Sequence, residues 1–472
     1  MKDAPIVNQL KNYIKKSYSP FSMPGHKYGR AFEEDDLNTL ILNGDITEVD
    51  GLDNLQNPQG VIKEAQVKLS ECYGSFKSYF LVNGSTCGNL TMIFASFNEG
   101  DKVLVERNCH KSIFNGVLLR KLNPIYINNK ISTKLDAPLG IDKNHFLKLM
   151  KNEKDIKGII LTYPNYFGVG IDLIDIIKEC KKHNIKVLID SAHGAHFGFH
   201  NKLPESAVKL GADMIVMSAH KTLPSLTQTA YLHINNKNDK EKVEFYLYTF
   251  MSTSPSYLFM ATLDYSRAFL QERGNIEYEK LIKRVDNFKE SIKYVEGIEV
   301  LDKKRLECMW VYDPTRIVIF IKSEYKNIDL VRYLLDNGVQ AEMAIGRAVV
   351  LIPTPYNNEE DFNRLEKAIL KLEIEKTGEK VAEDNNLHII DGYMINPYQI
   401  INRKAELIDI KEAVGRIAKT HIVPYPPGVP LILIGEIITK DKIDKLLKLL
   451  ENNIECVGVE NNKIGVLKKD EE

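Results

Sequence analysis

The sequence lacks several features that would define whole classes of protein. Its six cysteines are scattered without close pairs, which argues against a disulfide framework and against a zinc knuckle. No apolar run approaches the roughly 20 residues of a membrane span, and the N-terminus has no signal-peptide core. The 63 basic and 64 acidic residues leave a net charge of -1, so neither nucleic acid nor an anionic membrane surface is expected as a partner. A soluble, cytoplasmic protein with reduced thiols is the expectation.

The chain is long enough for several domains. Its 472 residues, of which 44% are hydrophobic, suggest about two or three domains with a large core. The first 60 residues are rich in turn signals and predict few regular elements, but their aromatic residues favour a wrapping arm over a disordered tail. The predicted divisions are an N-terminal arm at 1–60, a large domain at 61–300, a small α/β domain at 301–378 and a C-terminal domain at 379–472.

The large domain shows short apolar runs that alternate with segments of helical periodicity. Such alternation indicates a mostly parallel sheet covered by helices on both faces. In sheets of this kind ligands bind outside the carboxyl ends of the strands, so polar residues there are the candidates for a site. Strands are predicted at 79–82, 102–106, 124–127, 158–162, 187–190 and 214–217, and helices at 61–72, 87–97, 111–121 and 172–183.

Four polar clusters fall at the ends of predicted strands. Three of these clusters come before the strand predicted at 214–217, and the fourth follows it. Gly84-Ser85-Thr86 precedes a helix, where free N–H groups and small hydroxyls favour an anion, although such residues are also common helix caps. Asp190 ends an apolar strand, so its carboxylate needs a partner, either a pyridinium N–H or a neighbouring helix N-terminus. His110 can either lie flat over an aromatic ring or cap a helix.

The fourth cluster contains Ser218, His220 and Lys221, in a loop expected after the strand at 214–217. An isolated lysine is most often a solvated surface residue. This lysine, however, accompanies an anion loop, a planar histidine and a buried acid. Pyridoxal phosphate (PLP) needs this set, because it requires an amine for its aldehyde, a carboxylate for its ring nitrogen, a stacking partner and a phosphate cradle.

A metal site is the alternative suggested by His193, His196 and His200. Zinc sites usually place such residues on one helix or join them with acidic ligands. Gly194 and Gly198 interrupt any helix through the three histidines. No metal is therefore expected.

The sequence resembles the bacterial ornithine/lysine/arginine decarboxylases, a PLP-dependent family whose fold is like that of aspartate aminotransferase (PLP fold type I). Because the chain begins almost directly with the arm, it resembles the compact branch that includes biosynthetic arginine decarboxylase, without the additional N-terminal domain of larger members. The motifs that carry the resemblance are Pro24-Gly25-His26-Lys27, Asp45-Ile46-Thr47-Glu48, Gly84-Ser85-Thr86, Asn108-Cys109-His110-Lys111-Ser112, Asp190-Ser191-Ala192-His193-Gly194, Ser218-Ala219-His220-Lys221, Ser252-Thr253-Ser254-Pro255-Ser256, Tyr425-Pro426-Pro427-Gly428 and Gly435-Glu436.

The resemblance implies a role for each matching residue. Lys221 attaches the cofactor, and Asp190 pairs with its ring nitrogen. His110 stacks on the ring, and His193 lies near the phenolic oxygen. Lys221 or His220 returns a proton to the substrate. The implied phosphate contacts are Gly84, Ser85, Thr86, Ser218 and His220, with Thr253 and Ser254 contributed by a partner subunit.

The resemblance also implies the reaction, which is the decarboxylation of a basic amino acid. L-Arginine, giving agmatine and CO2 for polyamine biosynthesis, is favoured over lysine, giving cadaverine, and ornithine, giving putrescine. Asp45, Glu48 and Glu436 are the candidates for binding the distal cation of the substrate. A wrapping arm and a shared phosphate site predict a homodimer or a dimer of dimers.

Two other functions are compatible with these residues. An aminotransferase on the same scaffold would need a guanidinium that retains the α-carboxylate, and Arg316 and Arg347 in the small domain could supply it. The second alternative is a catalytically silent binding or regulatory protein. The intact Lys221 and Asp190 argue against that alternative.

Overall fold

The computed structural model describes residues 4–33, 39, 43–132, 137–307, 309–377, 395–425, 428–451 and 454–471. In that part of the chain no helix has both the length and the apolarity needed to cross a bilayer. The α-helices are α1 (Pro5–Ile14), α2 (Val61–Tyr73), α3 (Gly84–Ser96), α4 (Lys111–Leu119), α5 (Lys143–Asn152), α6 (Leu173–Lys182), α7 (Ala219–Thr222), α8 (Lys240–Phe250), α9 (Tyr257–Glu272), α10 (Gly274–Ser291), α11 (Leu330–Asp336), α12 (Glu359–Leu370), α13 (Pro397–Ile400) and α14 (Lys440–Glu451).

The strands fall into a central sheet, a small-domain sheet and several short pairs. They are β1 (Ser19–Pro20), β2 (Lys77–Leu81), β3 (Lys102–Glu106), β4 (Asn123–Ile127), β5 (Asn129–Ser132), β6 (Ala137–Ile141), β7 (Ile156–Thr162), β8 (Val169–Ile171), β9 (Lys186–Asp190), β10 (Met214–Met217), β11 (Ala230–Ile234), β12 (Ile298–Val300), β13 (Trp310–Tyr312), β14 (Ile317–Ile321), β15 (Val339–Gln340), β16 (Met343–Ile345), β17 (Ala348–Leu351), β18 (Ala405–Asp409), β19 (Val423–Tyr425), β20 (Glu455–Val457), β21 (Val459–Glu460) and β22 (Lys463–Leu467).

The central sheet has seven strands in the order β2-β11-β10-β9-β7-β3-β4. Only β11 runs against its neighbours; the remaining pairs are parallel. The strands are buried along most of their length, as expected for a sheet covered by helices on both faces. The predicted mostly parallel sheet is confirmed. The carboxyl ends of β2, β3, β7, β9 and β10 therefore meet at one edge.

The arm contains α1, whose residues are all at least partly exposed, and the short strand β1, consistent with the few regular elements predicted for it. Two local predictions were wrong. Gly84-Ser85-Thr86 forms the first turn of α3 and not a loop before it; Gly84 has a φ of +76°, a conformation that favours glycine. Lys221 lies in α7 and not in a loop. This single turn is held by a tertiary contact, a hydrogen bond of 2.7 Å from the Gly25 N–H to the His220 carbonyl, which periodicity cannot reveal.

The small domain is built on an antiparallel sheet of four strands in the order β12-β14-β17-β16. The arm packs on this domain of its own chain, because β1 pairs in parallel with β15. The predicted division at 301 falls just after β12, and the one between 378 and 379 lies outside the described residues. The domain limits therefore remain predictions.

The C-terminal segment has its own apolar core, which includes Ile410, Ile432, Ile443 and Val466. A three-stranded sheet in the order β18-β22-β21 and the helix α14 surround it. The segment is joined to the large domain by Arg107, whose guanidinium donates to the carbonyls of residues 430 and 431 at 2.7 and 3.0 Å.

The Pro24-Gly25-His26-Lys27 motif supports the turn that carries Lys221. A Cβ on Gly25 would lie 2.4 Å from the carbonyl oxygen of Leu223, so only glycine permits this approach. Thr354 donates to the Gly25 carbonyl at 2.8 Å. The arm, the small domain and the turn α7 are thus connected at one point.

Candidate active site

Lys221 lies at the carboxyl edge of the central sheet, in the turn that follows β10. Its Nζ is 3.1 Å from Nε2 of His193 and 5.2 Å from the centre of the Tyr166 ring. The rings of Tyr166 and His193 pack with their centroids 4.2 Å apart. The amine therefore lies against two aromatic side chains and is not a freely solvated surface group.

Burial lowers the pKa of Lys221 to about 8, although the negative charges of Asp190 and Glu342 oppose the shift. The cause is the loss of water around the charged ammonium. A larger fraction of this amine is neutral near pH 8 than is the case for a surface lysine. Since only the neutral amine is nucleophilic, the environment prepares Lys221 for covalent bonding to an aldehyde.

Asp190 ends β9 and is 2% exposed. Its carboxylate accepts hydrogen bonds from Asn89 Nδ2 at 2.9 Å and from the Ala192 N–H at 3.1 Å. No side-chain cation in the described part of the chain forms an ion pair with it. Burial raises the pKa of this carboxyl group, while the charge of Lys221 and the two hydrogen bonds oppose the rise. A protonated ring nitrogen would supply the missing cation.

His110 is connected to Asp190 through a chain of hydrogen bonds. His110 Nδ1 lies 2.9 Å from Ser112 Oγ and accepts the Ser112 N–H at 3.2 Å. Asn89 Nδ2 in turn contacts both Ser112 Oγ and Asp190 Oδ2 at 2.9 Å. His110 does cap α4, so the capping alternative is correct as local structure. Burial lowers the pKa of His110 to about 3, so its ring is neutral at neutral pH. A neutral ring that caps a helix can also stack on a cofactor ring.

An anion cradle is present at the start of α3. Gly84, Ser85 and Thr86 form the first turn of α3. The side chain of the N-cap residue, Asn83, does not cap the helix, so the N–H groups of this turn are available to an anion. Ser218 Oγ is buried and has no hydrogen-bond partner among the described residues. A buried hydroxyl without a partner is costly and suits a phosphate oxygen.

Thr253 and Ser254 lie on an exposed loop next to this helix start. The Ser252 N–H donates to Asn83 Oδ1 at 3.0 Å, and Gln56 of the arm donates to the Ser252 carbonyl at 3.0 Å. The loop is therefore beside the anion cradle of its own chain. Its two exposed hydroxyls are also accessible to a neighbouring subunit.

His220 is oriented by the backbone. Its Nδ1 is 2.9 Å from the Thr229 carbonyl, and a carbonyl only accepts, so Nδ1 carries the proton. Burial lowers its pKa to about 4. Nε2 is then an acceptor in the neutral ring, and donation to a phosphate requires a second proton, which a bound dianion would favour.

The three histidines that suggested a metal point in different directions. His193 Nε2 faces the lysine amine, His196 Nε2 lies 3.1 Å from Asp313, and His200 Nε2 lies 2.8 Å from Glu279. His193 Nδ1 is buried without a partner in the described part of the chain. Of the three, only His193 belongs to the site around Lys221.

The three acids expected to bind the distal cation of the substrate differ in their surroundings. Asp45 is exposed. Glu48 is partly buried, and its Oε2 has no partner among the described residues. Glu436 is 1% exposed and forms ion pairs with Arg107, at 3.3 Å, and with Lys442. The expectation for Glu436 is not supported by this geometry, because both carboxylate oxygens already face cations.

Sequence reasoning missed three residues of the site. Asn89 could have been noticed as a polar residue among apolar ones in α3, and Tyr166 as an aromatic residue after the strand β7. Glu342 comes from the small domain, accepts the Met23 N–H at 2.8 Å and raises the pKa of Lys221 by its charge. Its proximity depends on how the domains pack, so no local pattern indicates it.

These groups fit pyridoxal phosphate. Asp190 suits the ring nitrogen, neutral His110 suits a stacked ring, and the start of α3 with the unpartnered Ser218 suits the phosphate. The fold matches solved structures of a lysine decarboxylase and of an alanine–glyoxylate aminotransferase, and the site offers a residue for each part of this cofactor.

Comparison with known proteins then identifies the family. Residues 4–324 match the family profile described as "Orn/Lys/Arg decarboxylase, major domain", and residues 395–472 match "Orn/Lys/Arg decarboxylase, C-terminal domain". The chain belongs to the Orn/Lys/Arg decarboxylase family, which consists of PLP-dependent amino-acid decarboxylases that act on basic amino acids. The resemblance seen in the motifs is confirmed.

Individual relatives match along nearly the whole chain. An uncharacterized protein of Bacillus subtilis, YaaO, is 36% identical over 97% of this chain and 96% of its own length. An arginine decarboxylase of the same species is 30% identical over 99% of this chain and 97% of its own length. The solved structure of the constitutive lysine decarboxylase of E. coli superposes with a TM-score of 0.75 at 19% identity, covering 98% of this chain and 82% of that one.

Chemical labelling tests the environment of Lys221. Trinitrobenzenesulfonate reacts with neutral amines, so in protein freed of cofactor we expect labelling of Lys221 to increase with pH around a midpoint near 8. Lys182 is the internal control, because it is exposed and Glu179 raises its pKa; its labelling should increase only at higher pH. Peptide mapping by mass spectrometry measures both in one sample. The same pH dependence at both lysines would contradict the burial argument.

Proposed function

We propose that this chain converts L-arginine to agmatine and CO2 at the site around Lys221, with lysine and ornithine as the next candidate substrates. The family supports decarboxylation of a basic amino acid. The choice of arginine is supported by the 30% identity to an arginine decarboxylase over nearly the full length, against 22% to the constitutive lysine decarboxylase of E. coli.

The observation that carries the proposal is the position of the Lys221 amine, 3.1 Å from His193 Nε2 and at the same sheet edge as the buried Asp190. Lys221 would hold the cofactor through its Nζ, and Asp190 would keep a proton on the ring nitrogen. Asn89 and Ala192 orient the Asp190 carboxylate by hydrogen bonds of 2.9 and 3.1 Å. His193, 3.1 Å from the amine, positions Lys221 and faces the phenolic side.

The other proposed cofactor contacts divide between the ring and the phosphate. His110 covers the ring, held by its bond to Ser112. The first turn of α3, with Gly84, Ser85 and Thr86, would bind the phosphate. Ser218 and His220, at the turn that follows β10, would add further contacts. A second subunit would contribute the hydroxyls of Thr253 and Ser254.

Pyridoxal phosphate, when bound, supplies an acceptor for the electron pair that remains when CO2 leaves. The bond between the α-carbon and the carboxylate breaks, and the α-carbon then takes one proton. Lys221 or His220 delivers that proton. Lys221 is better placed for this, because a pKa near 8 lets it exchange protons at neutral pH, whereas His220 is held neutral by burial.

Glu48 is the preferred candidate for the distal cation of the substrate. Its Oε2 is buried without a partner among the described residues, which leaves it free for a guanidinium. The arm reaches the phosphate side of the site, since Tyr257, just after the Ser252–Ser254 loop, donates to the Asp53 carbonyl. Asp45 is the second candidate.

We also propose a homodimer, or a dimer of dimers, in the cytoplasm. The exposed Thr253 and Ser254 and the exposed apolar face of α1 support the shared site. Unpaired cysteines support a reducing compartment. Light scattering of the holoenzyme tests the assembly: we expect at least a dimer, and a fully active monomer would contradict it.

Product analysis tests the reaction. The holoenzyme is incubated separately with L-arginine, L-lysine and L-ornithine, and the amine and CO2 are measured by mass spectrometry. We expect agmatine and CO2 to form fastest. Lys221→Ala should lower the rate by at least about 100-fold, because both attachment and proton delivery are lost. Lys182→Ala, a change at an exposed lysine, should leave the rate unchanged.

The same experiment separates the alternatives. A keto acid in place of an amine would indicate an aminotransferase and contradict the proposal. Binding of amino acids without any product would indicate a silent binding protein. Arg347 does not favour the aminotransferase, because its guanidinium already donates to carbonyls, to Ile321 at 3.0 Å and to Lys322 at 2.7 Å.

A further inference from the structure

Glu106 is a buried acid that the proposed function does not use. It ends β3 and is 2% exposed. Its carboxylate accepts hydrogen bonds from Asn129 Nδ2 at 2.7 Å and from the Thr162 N–H at 2.8 Å. Both donors are neutral, and no cation in the described part of the chain forms an ion pair with this acid. A buried carboxylate held only by neutral groups is costly, because its charge is poorly compensated.

Glu106 lies close to Asp190 along the carboxyl edge of the central sheet. The strands β9, β7 and β3 are neighbours in that order, and β7 ends at Thr162, whose partner in β9 is Asp190. Glu106 accepts the N–H of the same Thr162. Burial raises the pKa of Glu106 to about 7; the two hydrogen bonds oppose the rise, and the charge of Asp190 adds to it. The two carboxylates are therefore within electrostatic range of each other.

The other groups around Glu106 bring no compensating charge. The Cys109 thiol after β3 stays neutral, since burial raises its pKa well above the usual range. Asn129 on β5 contributes only an amide. Arg107, the next residue along the chain, directs its guanidinium to backbone carbonyls of the C-terminal segment. Asp190 on β9 is thus the charged neighbour that acts on Glu106.

We propose that Glu106 is a positioning residue that acts through Asp190: its negative charge helps to keep the ring nitrogen of bound PLP protonated. This inference rests on the proposed function, since it concerns the same cofactor site. Two carboxylates at one edge of a sheet repel each other until a cation joins them. A protonated ring nitrogen beside Asp190 is such a cation, so its presence favours the ionised form of Glu106. By linkage, ionised Glu106 favours the proton on the ring nitrogen to the same extent.

Cofactor binding should therefore release a proton from Glu106. Without cofactor this carboxyl group is about half protonated at neutral pH. With a cation nearby the pKa of Glu106 falls, and its proton passes to the solvent. In alkaline solution Glu106 is ionised in both states, so it releases nothing. A residue that only supported the ends of the strands would leave the number of released protons unchanged.

Calorimetry of PLP binding to cofactor-free protein, repeated in buffers of different ionisation enthalpy, counts these protons. Near pH 7 we expect wild-type protein to release about 0.3 to 0.5 proton more than Glu106→Gln, and near pH 9 the two should agree. Glu106→Asp retains an acid and should restore part of the release. Glu99→Gln is the matched control, because Glu99 is an exposed acid shortly before β3, and it should behave as wild type.

Thermal unfolding confirms that each variant is folded. Equal proton release by wild type and Glu106→Gln near neutral pH, or a difference that persists in alkaline solution, would overturn the assignment and indicate a structural role. If Glu106→Gln does not fold, infrared spectra of wild-type protein with isotope-labelled glutamate decide. Loss of a labelled protonated-carboxyl band when PLP is added supports the proposal, and an unchanged band contradicts it.

Failure of this inference is distinguishable from failure of the proposed function. If proton release depends on Glu106 but no CO2 forms from arginine, lysine or ornithine, the decarboxylase proposal fails and the Glu106 assignment stands. If CO2 forms but proton release does not depend on Glu106, the Glu106 assignment fails and the decarboxylase proposal stands. Wild-type protein that does not bind PLP would overturn both.

Discussion

A carboxylate and an amine, both largely withdrawn from water, meet at the carboxyl edge of two neighbouring parallel strands. The pairing of β9 with β10 places Asp190 opposite Val216. The strand β10 therefore ends beside Asp190, directly before the turn that carries Lys221. Burial opposes the charge on each group, and each charge partly offsets the cost of the other. The two charges therefore interact without forming a direct ion pair, which leaves the Asp190 carboxylate available to a cofactor cation.

The rest of the site maintains this balance. A chain of hydrogen bonds through Asn89 and Ser112 connects the Asp190 carboxylate to the His110 ring. The C-terminal segment closes on the same place, because the Lys111 N–H donates to the Gly428 carbonyl at 3.0 Å. A Cβ on Gly428 would be 3.1 Å from the His110 ring. The C-terminal segment is thus attached next to His110, the ring proposed to stack on the cofactor.

Glu436 illustrates how a motif residue can serve attachment and not substrate binding. Its ion pairs with Arg107 and Lys442 and its acceptance of the Leu433 N–H at 2.9 Å hold the C-terminal segment on the large domain. Such a buried cluster tolerates little change, since removing one partner leaves an uncompensated charge.

Much of the fold and the centre of the site could be predicted from the sequence. Apolar runs of strand length followed by polar residues indicated the parallel sheet, and the rule that ligands bind at strand ends selected Lys221, Asp190 and His110. What remained hidden depends on contacts across the chain. The turn α7 is held by the arm, and Glu342 reaches the site from another domain. The position of Glu106 close to Asp190 is visible only when the strand order of the sheet is known.

The most direct test of the central claim is the covalent attachment site. Holoenzyme is reduced with borohydride, digested and mapped by mass spectrometry. We expect a pyridoxyl group on Lys221, because this amine combines a lowered pKa with proximity to Asp190 and His193. A pyridoxyl group on a different lysine, such as the buried Lys27, or no stable attachment at all, would contradict it.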